Sequence, residues 1–302
     1  MKLYEYLGAS LALAARSNEK LWVLDADLAD SDGAYLFAKE WPDRFIMTGI
    51  AEQNAISVAA GMATCGVRPF VFSFSAFLCF RAYDQIRVGI SQTNLPVVLV
   101  GTHAGGCCGR NGKTHVSLND IAIIGSLPGI AIWSPADQGD IDFFLERALS
   151  DRSPHYVRLP RDPMPPLPGV PSVVRIIREG PDLTVLSHGA TTHIALEVAR
   201  LLASQGINST VLHCPRIKPF PKEELALLEL MNRKIFVIED HYYSGGLGAK
   251  LSEYLRVPVS GWFGWPETWS GKSGSTADIR GGMGLDGKSI ALKITKAMEN
   301  CL

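Results

Sequence analysis

The chain has almost no net charge to offer a polyanion. Its 302 residues carry 29 Lys and Arg against 30 Asp and Glu, a formal charge of −1. Proteins that bind nucleic acids or membrane surfaces show a basic excess or a basic patch. Neither is visible, so neither partner is expected. Long hydrophobic runs are missing as well. The most apolar windows, 70–80 and 121–133, are shorter than a membrane span and are broken by Ser, Gly or Pro. Tyr4, Glu5 and Tyr6 interrupt any apolar signal core at the start, and helical spacing continues past them. Cysteine is sparse and unpatterned. The six cysteines form no CxxC pair, and Cys107 and Cys108 are adjacent, which suits neither a zinc ribbon nor a disulfide framework. Reduced thiols in a cytoplasmic protein are expected, which leaves the Asn208-Ser209-Thr210 sequon without a role.

What is present is alternation. The length suffices for two domains. Apolar residues at three- and four-residue intervals predict a helix over 3–15. Short apolar runs predict strands at 21–24, 45–48, 68–72, 96–100, 130–133 and 156–159. Between them, the spacing predicts helices over 51–65, 77–91 and 137–149. Six prolines between Pro160 and Pro171 forbid helix and central strand, so the stretch reads as extended chain. Alternation then resumes, with strands at 184–187, 209–213 and 235–239. Helices are expected over 191–204 and 222–231, from the Gly245–Gly248 cluster onward, and over 288–298. The segment 271–284 reads as a long glycine-rich surface loop. No internal repeat is found. The reading is α/β: two three-layer α/β/α domains with mostly parallel sheets, at 1–165 and 181–302, joined by a linker at 166–180. Ligands of such sheets bind at the carboxyl ends of the strands.

Several residues at those ends could carry chemistry. Glu52 falls in the first turn of a helix that follows a strand, where a carboxylate also complements the helix dipole. Phe72, Phe74, Phe77, Phe80 and Tyr83 form an aromatic group, in which Phe77, Phe80 and Tyr83 recur every three residues and share a helical face. They could stack on a flat heteroaromatic ring or serve as core. His103 and His115 lie in a glycine-rich loop directly after the 96–100 strand, where glycine lets backbone approach a ligand. No carboxylate or third histidine is near enough in sequence to suggest a metal site. Asp25, Asp27, Asp30 and Ser31 occupy the first strand's exit, and Arg158 and Arg161 flank the end of the last, where an arginine could bind phosphate.

Taken in order, these segments are specific. Gly-Ile-Ala-Glu-Gln-Asn at 49–54, Phe-x-x-Phe-x-x-Tyr at 77–83, Thr-His at 102–103 and again at 114–115, and Leu-Pro-Arg at 159–161 resemble the pyrimidine-binding domain of transketolases. The second domain resembles the transketolase C-terminal domain. The resemblance implies thiamine diphosphate as cofactor. It implies that Glu52 relays a proton to the cofactor's pyrimidine ring, so that the deprotonated thiazolium carbon can attack a ketose and pass a two-carbon ketol unit to an aldehyde. It further implies Phe77, Phe80 and Tyr83 around the pyrimidine, and Asp27 near the cofactor at a subunit interface. His103 and His115 would hold the donor's hydroxyls and assist proton transfer. Ser31, His103 and Arg161 would meet the substrate's phosphate.

One half of such an enzyme is missing. The family's Gly-Asp-Gly…Asn segment, which holds Mg2+ and the diphosphate, is not found. The Gly245–Gly248 cluster lacks the acidic metal ligand. No metal ligand is expected on this chain. The resemblance therefore implies a separate N-terminal transketolase subunit as partner, in an α2β2 heterotetramer. Three positions depart from the family pattern. Asn111 stands where the family has Asp at a donor contact, and Asn can donate as well as accept. Lys113 replaces a small residue or Pro. An arginine near the start has only Lys2 as its nearest counterpart. Two other thiamine-diphosphate readings share the Glu52 position: a 2-oxo acid dehydrogenase β subunit, or a deoxyxylulose-phosphate-synthase-like enzyme. A non-catalytic relative of the same fold is the third alternative.

Overall fold

The computed structural model describes residues 1–106, 109–226, 228, 233–255, 257–268 and 273–299. Its strands are β1 (Leu21–Asp25), β2 (Phe45–Met47), β3 (Arg68–Phe74), β4 (Val98–Thr102), β5 (Ala131–Trp133) and β6 (His155–Arg158). They continue as β7 (Arg175–Arg178), β8 (Leu183–Ser187), β9 (Ser209–His213), β10 (Arg216–Lys218), β11 (Lys234–Tyr242) and β12 (Val259–Trp265). Among the described residues they form a seven-stranded sheet in the order β10-β5-β6-β4-β3-β1-β2 and a five-stranded sheet in the order β12-β11-β8-β9-β7. All pairings are parallel except β10 with β5 and β7 with β9.

Both faces of the first sheet are covered, so its strands are apolar throughout; every residue of β3 is buried. Alternate residues feed opposite cores. Val23, Phe70, Phe72, Val98 and Val100 pack with helix Leu3–Ala14 on one side. Leu24, Val71 and Leu99 pack with helix Glu52–Thr64 on the other. That second core also takes in Leu186, Leu212 and Val237 of the second sheet, so one continuous apolar layer joins the two sheets. The far face of the second sheet packs against helices Thr191–Ala203 and Gly287–Glu299.

Four expectations change. The helix expected over 77–91 is broken into Ser75–Arg81, Tyr83–Gln85 and a π-turn at Ile86–Ser91. Ala82 leaves the helical region (φ −104°, ψ 17°), and Gly89 in the π-turn lies against Ala60 of helix Glu52–Thr64, with room for little more. The expected linker contains β7, which pairs antiparallel with β9 and so belongs to the second sheet. The glycine-rich loop expected over 271–284 contains helix Thr276–Gly282, started by the Ser275 side chain accepting the Asp278 N–H. β10 was not expected: after β9 the chain crosses back and adds an antiparallel edge to the first sheet. Of the helix expected over 222–231, Lys222–Leu225 is observed, while 227 and 229–232 lie outside the described residues.

Candidate active site

The carboxyl ends of β1, β3, β4 and β6 point the same way, and their exit loops gather the titratable residues. β4 ends at Thr102. His103 follows in the left-handed region, with φ 53°. A non-glycine residue held there costs free energy and marks functional loops. His103 is buried, stacked against Tyr4 (ring centroids 5.3 Å) and against Phe74 (4.1 Å). Burial, with the positive charges of Arg161 and Lys2 behind it, lowers its pKa to about 3. The imidazole is therefore neutral at physiological pH.

His115 closes the other end of the loop. Its ring stands edge-on to Phe77 at 5.0 Å and to Phe74 at 6.0 Å, and burial lowers its pKa as well. Phe77 lies 5.8 Å from Phe74 and carries the Arg81 guanidinium over its face at 4.7 Å. Arg81 in turn reaches Glu52, Nη1 to Oε2 at 2.6 Å. Glu52 opens helix Glu52–Thr64 and is 1 % exposed, whereas Arg81 is 45 % exposed at its side chain. The Gln53 side chain donates to the Arg81 carbonyl at 3.0 Å. Glu52, Arg81, Phe77, His115, Phe74 and His103 thus form one unbroken path of contacts.

Phe80 and Tyr83 depart from the expected single aromatic face. They line a neighbouring cleft of about 700 Å³ with Cys79, Ala122 and Ile123, and the Tyr83 hydroxyl meets Ser126 Oγ at 3.0 Å. The helix break at Ala82 rotates Tyr83 away from Phe77. At the β1 exit, Asp27 is exposed in the left-handed region (φ 69°) and Ser31 is exposed beside it. Asp25 is buried and accepts the Leu28 N–H at 2.7 Å, so it shapes the turn. Asn111 and Lys113 are exposed on the outer part of the histidine loop. Arg161 is half-buried beneath that loop. A β-carbon on Gly109 would collide with its guanidinium. Arg158, which could have bound phosphate, is instead buried against Asp120 (Nε to Oδ2, 2.8 Å) and the Asp240 carbonyl (3.1 Å).

The histidine loop is fixed from the second domain. Gly106 N donates to Asp240 Oδ1 at 3.2 Å; Trp265 Nε1 at 2.6 Å and Arg280 Nη2 at 3.2 Å converge on the same oxygen. Burial opposes ionisation of Asp240, but Arg280, Arg158 and these hydrogen bonds outweigh it and hold the carboxyl below its usual range. Tyr4, Arg81 and Asp240 have no place among the site residues expected from sequence, whereas Phe74 belongs to the expected aromatic group. Arg81 lies within the stretch that group spans, which was a usable signal. Tyr4 meets His103, and Asp240 meets Gly106, only across about a hundred residues or more of chain, and no local pattern marks either.

The donor set suits an aminopyrimidine. A buried carboxylate can meet a ring nitrogen, and the Phe77 face, now under a planar guanidinium, can take a flat ring. Among the described residues, no group of three His, Cys, Asp or Glu could hold a metal ion, and no helix is long and apolar enough to cross a membrane.

Known proteins resemble this chain across both of its domains. Residues 1–166 fit the family model for the transketolase pyrimidine-binding domain, and 172–269 fit that for the transketolase C-terminal domain. A putative transketolase C-terminal section of Methanocaldococcus jannaschii is 32% identical over 97% of this chain and 95% of its own length. The 1-deoxy-D-xylulose-5-phosphate synthase 1 of Geobacter sulfurreducens is 34% identical over 94% of this chain, which spans 46% of that protein. Among solved structures, a split gene transketolase described as an inactive beta4 tetramer has a TM-score of 0.87 and 31% identity, with 99% of each chain covered.

Proposed function

Because this chain belongs to the transketolase family, we propose that it is the pyrimidine-binding subunit of a two-chain thiamine-diphosphate enzyme that moves a two-carbon ketol unit from a phosphorylated ketose to an aldehyde. The observation that carries this reading is the contact path from buried Glu52 through Phe77 to the neutral His103. When bound, thiamine diphosphate supplies a carbon acid that can add to the donor carbonyl. Glu52 exchanges a proton with the pyrimidine nitrogen. Arg81, solvent-accessible at its end of the pair, swings aside to release the carboxylate. His103 and His115, both kept neutral, accept hydrogen bonds from the donor's hydroxyls and can take up a proton. Arg161 and Lys2 place positive charge beside His103, where the substrate's phosphate is bound. Asp27 completes the cofactor side, with Phe80 and Tyr83 in the adjoining cleft, and Ser31 and Asn111 complete the substrate side.

The diphosphate and Mg2+ are assigned to a separate subunit, in an α2β2 assembly. Two findings support a divided enzyme: a relative of the same length described as a C-terminal section, and a solved relative described as split. The likeness to a deoxyxylulose-phosphate synthase favours a second reading, in which the donor is a 2-oxo acid. The chain should be purified with and without a subunit carrying the Gly-Asp-Gly…Asn segment, then assayed with thiamine diphosphate, Mg2+ and either ketose phosphates or pyruvate. Ketose-dependent transfer only in the presence of both chains is expected. Turnover with pyruvate alone selects the second reading, and turnover by the isolated chain rules out the divided enzyme.

A further inference from the structure

A cavity of about 1060 Å³ lies on the seam between the two domains, where β10 docks on β5. It sits beside the amino ends of β5 and β6, away from the histidine loop. Its walls carry five cations, Arg147, Arg216, Lys218, Lys222 and Lys250, against two carboxylates, Asp151 and Glu224. Asp151 is turned to His155 Nε2 (3.1 Å) and Ser153, and Glu224 reaches only the far end of Arg216 (Nη2 to Oε1, 3.7 Å).

The positive charge is gathered in two places. Lys218 Nζ donates to the Gly125 carbonyl at 2.8 Å, and Lys250 Nζ lies 3.6 Å from where a β-carbon on Gly125 would be. Two ammonium groups therefore converge on one residue. Among the described residues neither has a carboxylate within salt-bridge distance. Burial and the charge of Lys250 both lower the pKa of Lys218. Two residues earlier on β10, Arg216 feels the charge of Arg147, and its Nε is buried with no hydrogen-bond partner among the described residues. Half-buried like charges and an orphaned guanidinium N–H are costly unless something anionic completes them. The Phe220–Tyr254 stack (5.1 Å) lies alongside and offers an apolar surface to the rest of a ligand.

We propose that this interdomain groove is a binding site for a small phosphorylated metabolite, its phosphate held by Lys218, Lys250 and Arg216. Charge-assisted hydrogen bonds to phosphate are the strongest partners these groups could find. Occupancy would tie helix Leu247–Tyr254 to β10 at the edge of the first sheet, so the ligand would act on the fit between the domains. The proposal is independent of the reaction assigned above.

The test follows thermal unfolding of the full chain in inorganic pyrophosphate and in KCl at matched ionic strength. Pyrophosphate is expected to raise Tm by several degrees beyond KCl, saturably. Lys250→Met should keep the KCl Tm and lose most of that response. Arg147→Met, whose stem can still pack on Phe143, should weaken it. Equal Tm values in the two salts, or an undiminished response in Lys250→Met, would overturn the site.

Discussion

At the scale of single residues, the informative pair is Glu52 with Arg81. A carboxylate in the first turn of a helix needs no further explanation than the dipole. Burial to 1 % does, because an exposed dipole partner could stay in water. The Arg81 guanidinium satisfies the charge while lying over the ring on which a pyrimidine would stack. Glu52→Gln keeps the shape and removes the exchangeable proton. With its partner subunit present, that variant should fold with an unchanged Tm and lose roughly 10²- to 10⁴-fold in kcat. A rate near that of the unsubstituted enzyme would leave the proton relay without a carrier. His103 gives a second expectation. Its pKa near 3 means that it does not titrate between pH 5 and 8. His103→Asn should lower kcat/KM for the ketose yet leave any acid limb in that range in place. Disappearance of the limb in the variant would show that His103 itself titrates there.

At the scale of elements, the site is a loop of the first domain held by strands of the second. Gly105 has φ 94°, and an added β-carbon would run into the Asp240 carboxylate. Gly105→Ala therefore has to move the loop that carries His103 or displace Asp240 from Gly106 N, Trp265 and Arg280. A cost of about 1–3 kcal/mol is expected from the backbone conformation alone, read as a lower urea midpoint, together with a fall in activity. Full activity and stability would mean that the loop is not fixed by Asp240. This dependence shows where sequence reading stopped. The sheets were legible because buried parallel strands such as β3 and β4 are continuous apolar runs with turn residues at their ends. Glu52, His103 and His115 stood out in the sequence only through the order of their segments, since each alone has an ordinary structural explanation. Helix Thr276–Gly282 was hidden by glycines at both of its ends, although Ser275 and Asp278 form a usable cap. β10 is three residues long and is a strand only because β5 lies beside it. Asp240 and Tyr4 are read only through contacts made across the folded chain.

At the scale of the molecule, the two sheets meet through buried charge as well as through apolar core. Arg175 bonds both Asp137 and Asp140 at 3.1 Å, His213 reaches Asp140 at 2.9 Å, and Ser134 meets His188 at 2.9 Å. The domain seam should therefore respond to pH. Of the chain's seven histidines, His103, His115, His155, His188, His193 and His241 all have lowered pKa values, chiefly through burial. For His103 and His241 the folded values are about 3 and about 4, against 6.5 for the free side chain. Below pH 6.5 the unfolded chain takes up protons that the folded chain refuses, so the stability these residues contribute is complete above 6.5 and is lost as pH falls. Glu239 acts in the opposite sense. Burial raises its pKa to about 7, against 4.5 when free. The folded chain gains a proton there as pH falls through 7, and that gain is complete by pH 4.5. Between pH 7 and pH 5, His103 and His241 each remove about 2 kcal/mol, and Glu239 returns about 2 kcal/mol. Those three alone sum to a loss of roughly 1–2 kcal/mol; the other four lowered histidines add to it, and Asp25 and Asp32, raised by burial, offset part of it. Urea unfolding at the two pH values should show the lower midpoint at pH 5. Glu239→Gln should steepen the loss on acidification, because it removes a group that opposes it; Asp25 and Asp32, raised by burial, remain and oppose it in the same sense. A midpoint that rises on acidification would mean that the raised carboxyls Glu239, Asp25 and Asp32 outweigh the buried histidines.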